Sequence, residues 1–212
     1  MRQRKIKNLD EKITALNEFI IEDSKEKKGC WASVFGNENP IYLELGCGKG
    51  KFLLSQAINN PDKNFIGIEG QESVVLRALE KAKKFSCKNI KFVIGYVEDI
   101  SEYFQAGEID GMFLNFSDPW PKARHEKRRL TYGERLLQYR EIVKSPGSIE
   151  IKTDNENLFQ FTLEQIELKN LEIIEMSRDL HNSQIKAKQI TTEYEDRFVA
   201  LGKNINYVSV RA

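Results

Sequence analysis

The chain has 212 residues, 40% hydrophobic and 31% charged, a balance that fits one globular domain and argues against a disordered, collagenous or coiled-coil chain. Thirty-three basic residues against 32 acidic leave a net charge of +1, which excludes a uniformly basic nucleic-acid coat and confines any polyanion site to a local cluster. Three scattered cysteines (Cys30, Cys47, Cys87) form no CxxC pair, so neither a disulfide framework nor a metal centre is expected. No run approaches the roughly 18 apolar residues of a membrane span and no leader-like stretch opens the chain, so a cytoplasmic protein without membrane contact is expected.

In chain order, residues 1–40 read as an N-terminal arm. Its basic tip (Arg2, Arg4, Lys5, Lys7) can equally be a frayed terminus. Leu9, Ile13, Leu16 and Ile20 follow at helical spacing, and Lys25–Gly29 is loop-like. From Ile41 short apolar runs alternate with amphipathic segments. Strands are expected at Ile41–Leu45, Asn64–Ile68, Ile90–Ile94, Ile109–Phe116 and Ser148–Lys152. Helices are expected over Lys51–Asn59, Glu72–Phe85, Ile100–Gln105, Gly133–Val143 and Glu156–Leu168. The alternation stops after Leu171–Met176. Phe198–Leu201 and Tyr207–Val210, separated by Gly202-Lys203-Asn204, then read as two strands at an antiparallel end. The pattern implies a single α/β domain over 1–212 with a mostly parallel sheet, helices on both faces and right-handed crossovers. In such sheets ligands bind outside the carboxyl ends of the strands, so the chemistry is expected there.

Strand one closes into Glu44-Leu45-Gly46-Cys47-Gly48-Lys49-Gly50 and a helix opens there. Alternate glycines permit a tight turn and close ligand approach. The spacing satisfies neither the GxxxxGK[ST] of a P-loop nor the GxGxxG of a dinucleotide site. With Glu44 before it, the loop resembles motif I of class I S-adenosylmethionine-dependent methyltransferases, whose Rossmann-like fold is then expected. Strand two ends at Glu69, where a carboxylate can accept from both ribose hydroxyls or simply face solvent. After strand three, Tyr96 stands where that family places an acidic or amide adenine contact. Either its ring packs on the adenine, or Glu98 or Asp99 takes over.

Strand four runs into Asn115-Phe116-Ser117-Asp118-Pro119-Trp120-Pro121-Lys122, followed by Ala123-Arg124-His125-Glu126-Lys127-Arg128-Arg129. Two prolines two apart fix a stiff, non-helical loop. A cationic run beside the expected crevice fits a phosphate backbone, although charge runs are commonly solvated faces. Trp120 is either core, the preferred reading, or a stacking platform for a base. Asp118 can stabilise positive charge beside the donor or cap the Pro119 turn. Among these cations His125 reads as a phosphate contact rather than a base.

These segments closely resemble the bacterial tRNA (guanine-N7)-methyltransferases, which modify the variable-loop guanosine at the conventional position forty-six. Met1-Arg2-x-Arg4, Lys152-Thr153-Asp154-Asn155, Asp179-Leu180-His181 and Thr192-Glu193-Tyr194-Glu195 extend the likeness over nearly the whole chain. The resemblance implies S-adenosylmethionine as cofactor and tRNA as partner, with monomers and homodimers both known among relatives. It implies cofactor contacts at Glu44, Gly46, Gly48, Glu69, Tyr96 and Asp118, with Asp118 the catalytic residue. It places Lys122, Asp154 and Thr192, Glu193, Tyr194 and Glu195 around the guanosine, and Arg124, His125, Glu126, Lys127, Arg128 and Arg129 on RNA. Asp154 or Glu195 can accept from guanine N1–H and the 2-amino group, a donor pattern adenine lacks. Asp154 can also be the N-cap of the following helix, and Thr192–Glu195 a capped surface turn. Guanine N7 carries a free lone pair, which suits a chain without an evident nucleophile–base dyad. A methyltransferase for another substrate and a non-catalytic RNA-binding module are the rival readings.

Overall fold

The computed structural model describes residues 6–212, so the basic tip at Arg2, Arg4 and Lys5 and the Met1-Arg2-x-Arg4 match lie outside the described residues. Among the described residues seven strands form one sheet: β1 (Ile41–Leu45), β2 (Asn64–Glu69), β3 (Ile90–Ile94), β4 (Ile109–Asn115), β5 (Val143–Thr153), β6 (Ile173–Ser177) and β7 (Asn206–Arg211). Their order is β3-β2-β1-β4-β5-β7-β6. All pairings are parallel except those of β7, which runs antiparallel to both β5 and β6. The expected α/β fold class is thus observed, and strand order reverses between β1 and β4.

Among the described residues seven α-helices accompany the sheet: α1 (Leu9–Thr14), α2 (Trp31–Phe35), α3 (Lys51–Asn59), α4 (Glu72–Lys84), α5 (Gly133–Ile142), α6 (Glu156–Leu168) and α7 (Glu193–Ala200). Strand side chains alternate between the faces as period two requires. Leu43, Leu45, Ile66 and Ile68 enter a core shared with α5, α6 and Trp31, while Phe65 and Phe92 enter one shared with α3 and α4. Trp31 is fully buried, stacks on Phe104 at 5.1 Å and donates its indole N–H to Tyr103 O at 2.8 Å. The helical spacing of Leu9 to Ile20 is realised only through Thr14. Ile20 bridges to Phe92, and Ile21 N–H donates to Phe92 O at 2.9 Å, so the arm covers the outer edge of β3.

The expected C-terminal hairpin is not formed. Phe198–Ala200 is the last turn of α7, and the antiparallel neighbours of β7 are β5 and β6. Thr192 and Glu195 form a capping box and three acidic residues occupy the first turn, both of which nucleate helix. Gly202, at φ 74°, ends it: Gly202 N–H reaches Val199 O at 2.9 Å and Lys203 N–H reaches Phe198 O at 3.0 Å, a Schellman pattern. The glycine that reads as a hairpin turn is a helix stop.

Candidate active site

β1 delivers Glu44 to the rim of the sheet, where it is only 2% exposed. One carboxylate oxygen accepts from Asn115 Nδ2 at 2.8 Å; the other is buried without a partner. Burial pushes the carboxyl up to about 8, with Glu193 adding to the rise, while the Asn115 hydrogen bond and Lys152 oppose it. An orphaned, largely protonated carboxyl is costly and is satisfied best by a cationic donor entering the crevice. The following loop is open to such a ligand. Gly46 and Gly48 adopt φ of 75° and 57°, and a side-chain carbon on either would meet nothing within 4 Å. Gly50 does a different job: a carbon there would meet Ala78 Cβ at 2.6 Å, so it lets α3 close on α4.

Glu69, at the end of β2, is half-buried. It accepts from Gly48 N–H at 3.1 Å and from Gln71 N–H at 2.9 Å, which fixes its carboxylate beside the loop. Of the three adenine candidates, Asp99 is occupied by Ser101 N–H (2.9 Å), Ser101 Oγ (2.7 Å) and Gln138 Nε2 (3.2 Å). Glu98 is exposed. Tyr96 is 75% exposed and lays its ring on Gly70, next to Glu69. Glu44, the glycine loop, Glu69 and Tyr96 together fit an elongated nucleoside with a positive charge at the Glu44 end.

β4 brings Asn115 to Glu44 and then enters a strained loop. Phe116 (φ 52°) and Trp120 (φ 39°) both adopt left-handed backbone, each costing on the order of 1–3 kcal/mol. Asp118 is exposed and, among the described residues, without a hydrogen-bond partner, three residues from the Glu44 contact. Trp120 is not core. The flanking prolines hold the loop off the sheet, and the half-buried indole carries the Arg128 guanidinium at 5.0 Å with the His125 ring edge-on at 5.7 Å. Lys122, Arg124, Glu126, Lys127 and Arg128 are exposed along this ridge, whose Ala123–Arg128 stretch is a 3₁₀ helix, and His125 is half-buried. Arg129, expected on the RNA face, instead turns inward: its Nε donates to Pro119 O at 3.0 Å and Nη2 to Trp120 O at 3.1 Å.

The start of α7 folds back over the glycine loop. Lys51 binds Asp196 and donates to Thr191 Oγ1 at 2.9 Å, and Lys81 bridges Glu193 Oε1 (2.6 Å) and Lys49 O (2.8 Å). Tyr194 is 61% exposed, whereas Glu195 is fully buried. Its carboxylate is enclosed by Lys152 Nζ at 3.2 Å, His181 Nε2 at 2.9 Å and Thr192 N–H at 3.3 Å, so it meets no guanine edge unless that network opens. Lys152, itself 2% exposed, also donates to Ala187 O (2.7 Å) and Ile190 O (2.9 Å); burial lowers its pKa and the Glu195 carboxylate raises it. The sequence carried Lys152 only as part of a motif. A buried lysine leaves no signature until its partners from a distant segment are in view.

Asp154 follows β5, half-buried and paired with Lys203 at 3.0 Å, in a cleft of about 540 Å³ that Arg178 and Asn206 also line. It is not the cap of α6. That role falls to Asn155, whose Oδ1 accepts from Leu158 N–H at 2.9 Å. Among the described residues no cluster of side chains suits a metal ion, and no helix is long and apolar enough to cross a membrane.

A family model described as "Putative methyltransferase" matches residues 38–208. A tRNA (guanine-N(7)-)-methyltransferase of Lachnoclostridium phytofermentans is 45% identical over 206 residues, covering 97% of this chain and 96% of that protein. The protein of the same name from Bacillus subtilis is 43% identical over 205 residues, with the same coverage. Among solved structures, an antibiotic-related methyltransferase superposes with a TM-score of 0.63 at 19% identity, covering 89% of this chain and 93% of that one. An S-adenosylmethionine-dependent methyltransferase from Aquifex aeolicus gives 0.56 at 15% identity, covering 97% and 98%. At those identities the two structures speak for the fold alone.

Proposed function

The chain belongs to the tRNA (guanine-N7)-methyltransferase family and transfers a methyl group from S-adenosylmethionine to N7 of a tRNA guanosine; from this premise we propose how its residues share the work. When bound, S-adenosylmethionine would supply an activated methyl group on a positively charged sulfur that is a neutral thioether once the methyl is lost. Guanine N7 presents its lone pair without a proton to remove, so the protein's task is alignment and electrostatic support. The unsatisfied oxygen of Glu44 takes the cationic methionine end, with Gly46 and Gly48 backbone alongside. Glu69 accepts from the ribose and Tyr96 packs on the adenine. Asp118, exposed and unpartnered at the same rim, reaches the donor and stabilises the positive charge that builds on the purine as the bond to N7 forms.

Asp154 exchanges Lys203 for guanine N1–H and the 2-amino group, which adenine cannot match. Lys122, Thr192, Glu193 and Tyr194 flank that base. Glu195 contributes from beneath, through the buried contacts that fix the start of α7. The exposed Arg124, His125, Glu126, Lys127 and Arg128 ridge meets the RNA backbone. We assign the variable-loop guanosine as target, one domain over the whole chain, the cytoplasm as compartment, and a monomer or homodimer as working unit. The carrying observation is identity above 40% along 97% of the chain. Incubation with labelled cofactor and unmodified tRNA, followed by nucleoside mass spectrometry, is expected to yield 7-methylguanosine in the variable loop. Methylation of another base, or none, overturns the reading.

A further inference from the structure

We propose that Arg129 is a positioning residue for catalysis, a clamp that holds the Asp118 loop in its reactive shape, and not a contact to RNA. Arg128 lies exposed over Trp120, while the next residue points the other way. The Arg129 guanidinium is half-buried and spans two consecutive carbonyls, Pro119 O at 3.0 Å and Trp120 O at 3.1 Å. Its face lies 4.1 Å from the centre of the Phe161 ring on α6. The chain on either side is anchored: Glu126 O accepts from Arg129 N–H at 3.0 Å, Leu130 packs against the main core, and buried Thr131 receives Thr162 Oγ1 at 2.8 Å. The guanidinium therefore ties the Pro-Trp-Pro turn to the helix layer.

The turn needs such a tie. Trp120 sits in left-handed backbone at φ 39°, a conformation a bulky residue abandons when released, and Asp118 lies one residue before the first clamped carbonyl. Two parallel donors on a planar group suit the task, because a fork fixes orientation as well as distance and its face can stack on a ring. A lysine at this position keeps the charge and loses the fork.

This inference rests on Asp118 being the group beside the reacting guanine. The test compares R129K and R129A with the wild-type full chain. Measured are the single-turnover rate at saturating cofactor and tRNA, the tRNA affinity over a salt series, and thermal melting. Both variants are expected to lose about 100-fold in rate, the cost of a misplaced reacting group, with tRNA affinity within about twofold of wild type and an unchanged salt slope. R129K retaining the wild-type rate, or a weaker tRNA complex with a flatter salt slope, overturns the proposal. Should R129A fail to fold, R129K decides. A wild-type chain that forms no 7-methylguanosine refutes the function, whereas an active wild type with an equally active R129K refutes only the clamp.

Discussion

The two halves of the site are built by opposite means. The donor half, from Glu44 through the glycine loop to Glu69, is set by the fold itself: strand ends pinned in a parallel ladder and helices closed on a buried core. The acceptor half, from Phe116 to Arg129 and from Asp179 to Asp196, rests on a smaller core of its own, Leu180, Ile205 and Tyr207 with Phe116, Ile185, Ala187 and Phe198 packed on it. Side-chain ties hold it: Arg129 on two carbonyls, Lys152 on two carbonyls and a carboxylate, Lys51 and Lys81 on the start of α7. A small donor suits a cradle built into the strand ends, while a folded RNA that must present one base suits a broader surface held by side-chain ties.

Substitutions can break that contrast, starting with the residue that belongs to both halves. Asp118→Ala is expected to lower turnover by about 10²–10³-fold with tRNA affinity unchanged in titrations, because the carboxylate supports the positive charge as it moves from the donor onto the purine. Gly50→Ala strikes the donor half through packing. A methyl at φ 74° against Ala78 is expected to cost about 3 kcal/mol, read as roughly 10 °C in Tm.

Glu44 sharpens the contrast through pH. Its carboxyl is raised from 4.5 to about 8 by burial, so its contribution to stability is complete below pH 4.5 and is lost as pH rises through 8. A cation beside its free oxygen favours the ionised form, so binding releases a proton. Calorimetry is expected to show cofactor affinity rising about tenfold between about pH 6.5 and pH 8, and Glu44→Gln to remove that part of the dependence. Smallest, Lys127→Ala on the exposed ridge is expected to weaken tRNA severalfold and reduce the salt slope by about 1, leaving Tm unchanged.

Much of the fold is written locally. Ile41–Leu45 and Ile90–Ile94 fall where short apolar runs place them, and Lys51–Asn59 and Glu156–Leu168 where helical spacing does, because the strands are buried within the sheet and the helices bury one face. β6 is marked in the sequence only as the Leu171–Met176 run that ends the alternation, since Ile173, Ile174 and Met176 are all exposed and no period-two pattern assigns it as a strand. The Phe198 segment misled because Gly202 serves a helix end as well as a hairpin, and only the Thr192–Glu195 box distinguishes them. In the site, residue types at strand ends were legible. The direction of each charge was not: Arg128 and Arg129 look alike in sequence, and the buried Lys152–Glu195 pair joins segments 43 residues apart.

β7 lies between β5 and β6, so β6 has no neighbour in the described sheet until Asn206–Arg211 has left the ribosome. The segment that straps the glycine loop, Thr191–Asp196, also emerges late. Both segments therefore follow the parallel strands and the glycine loop in the order of synthesis. A nascent chain halted before Thr191 would carry its donor motif without the segment that straps it.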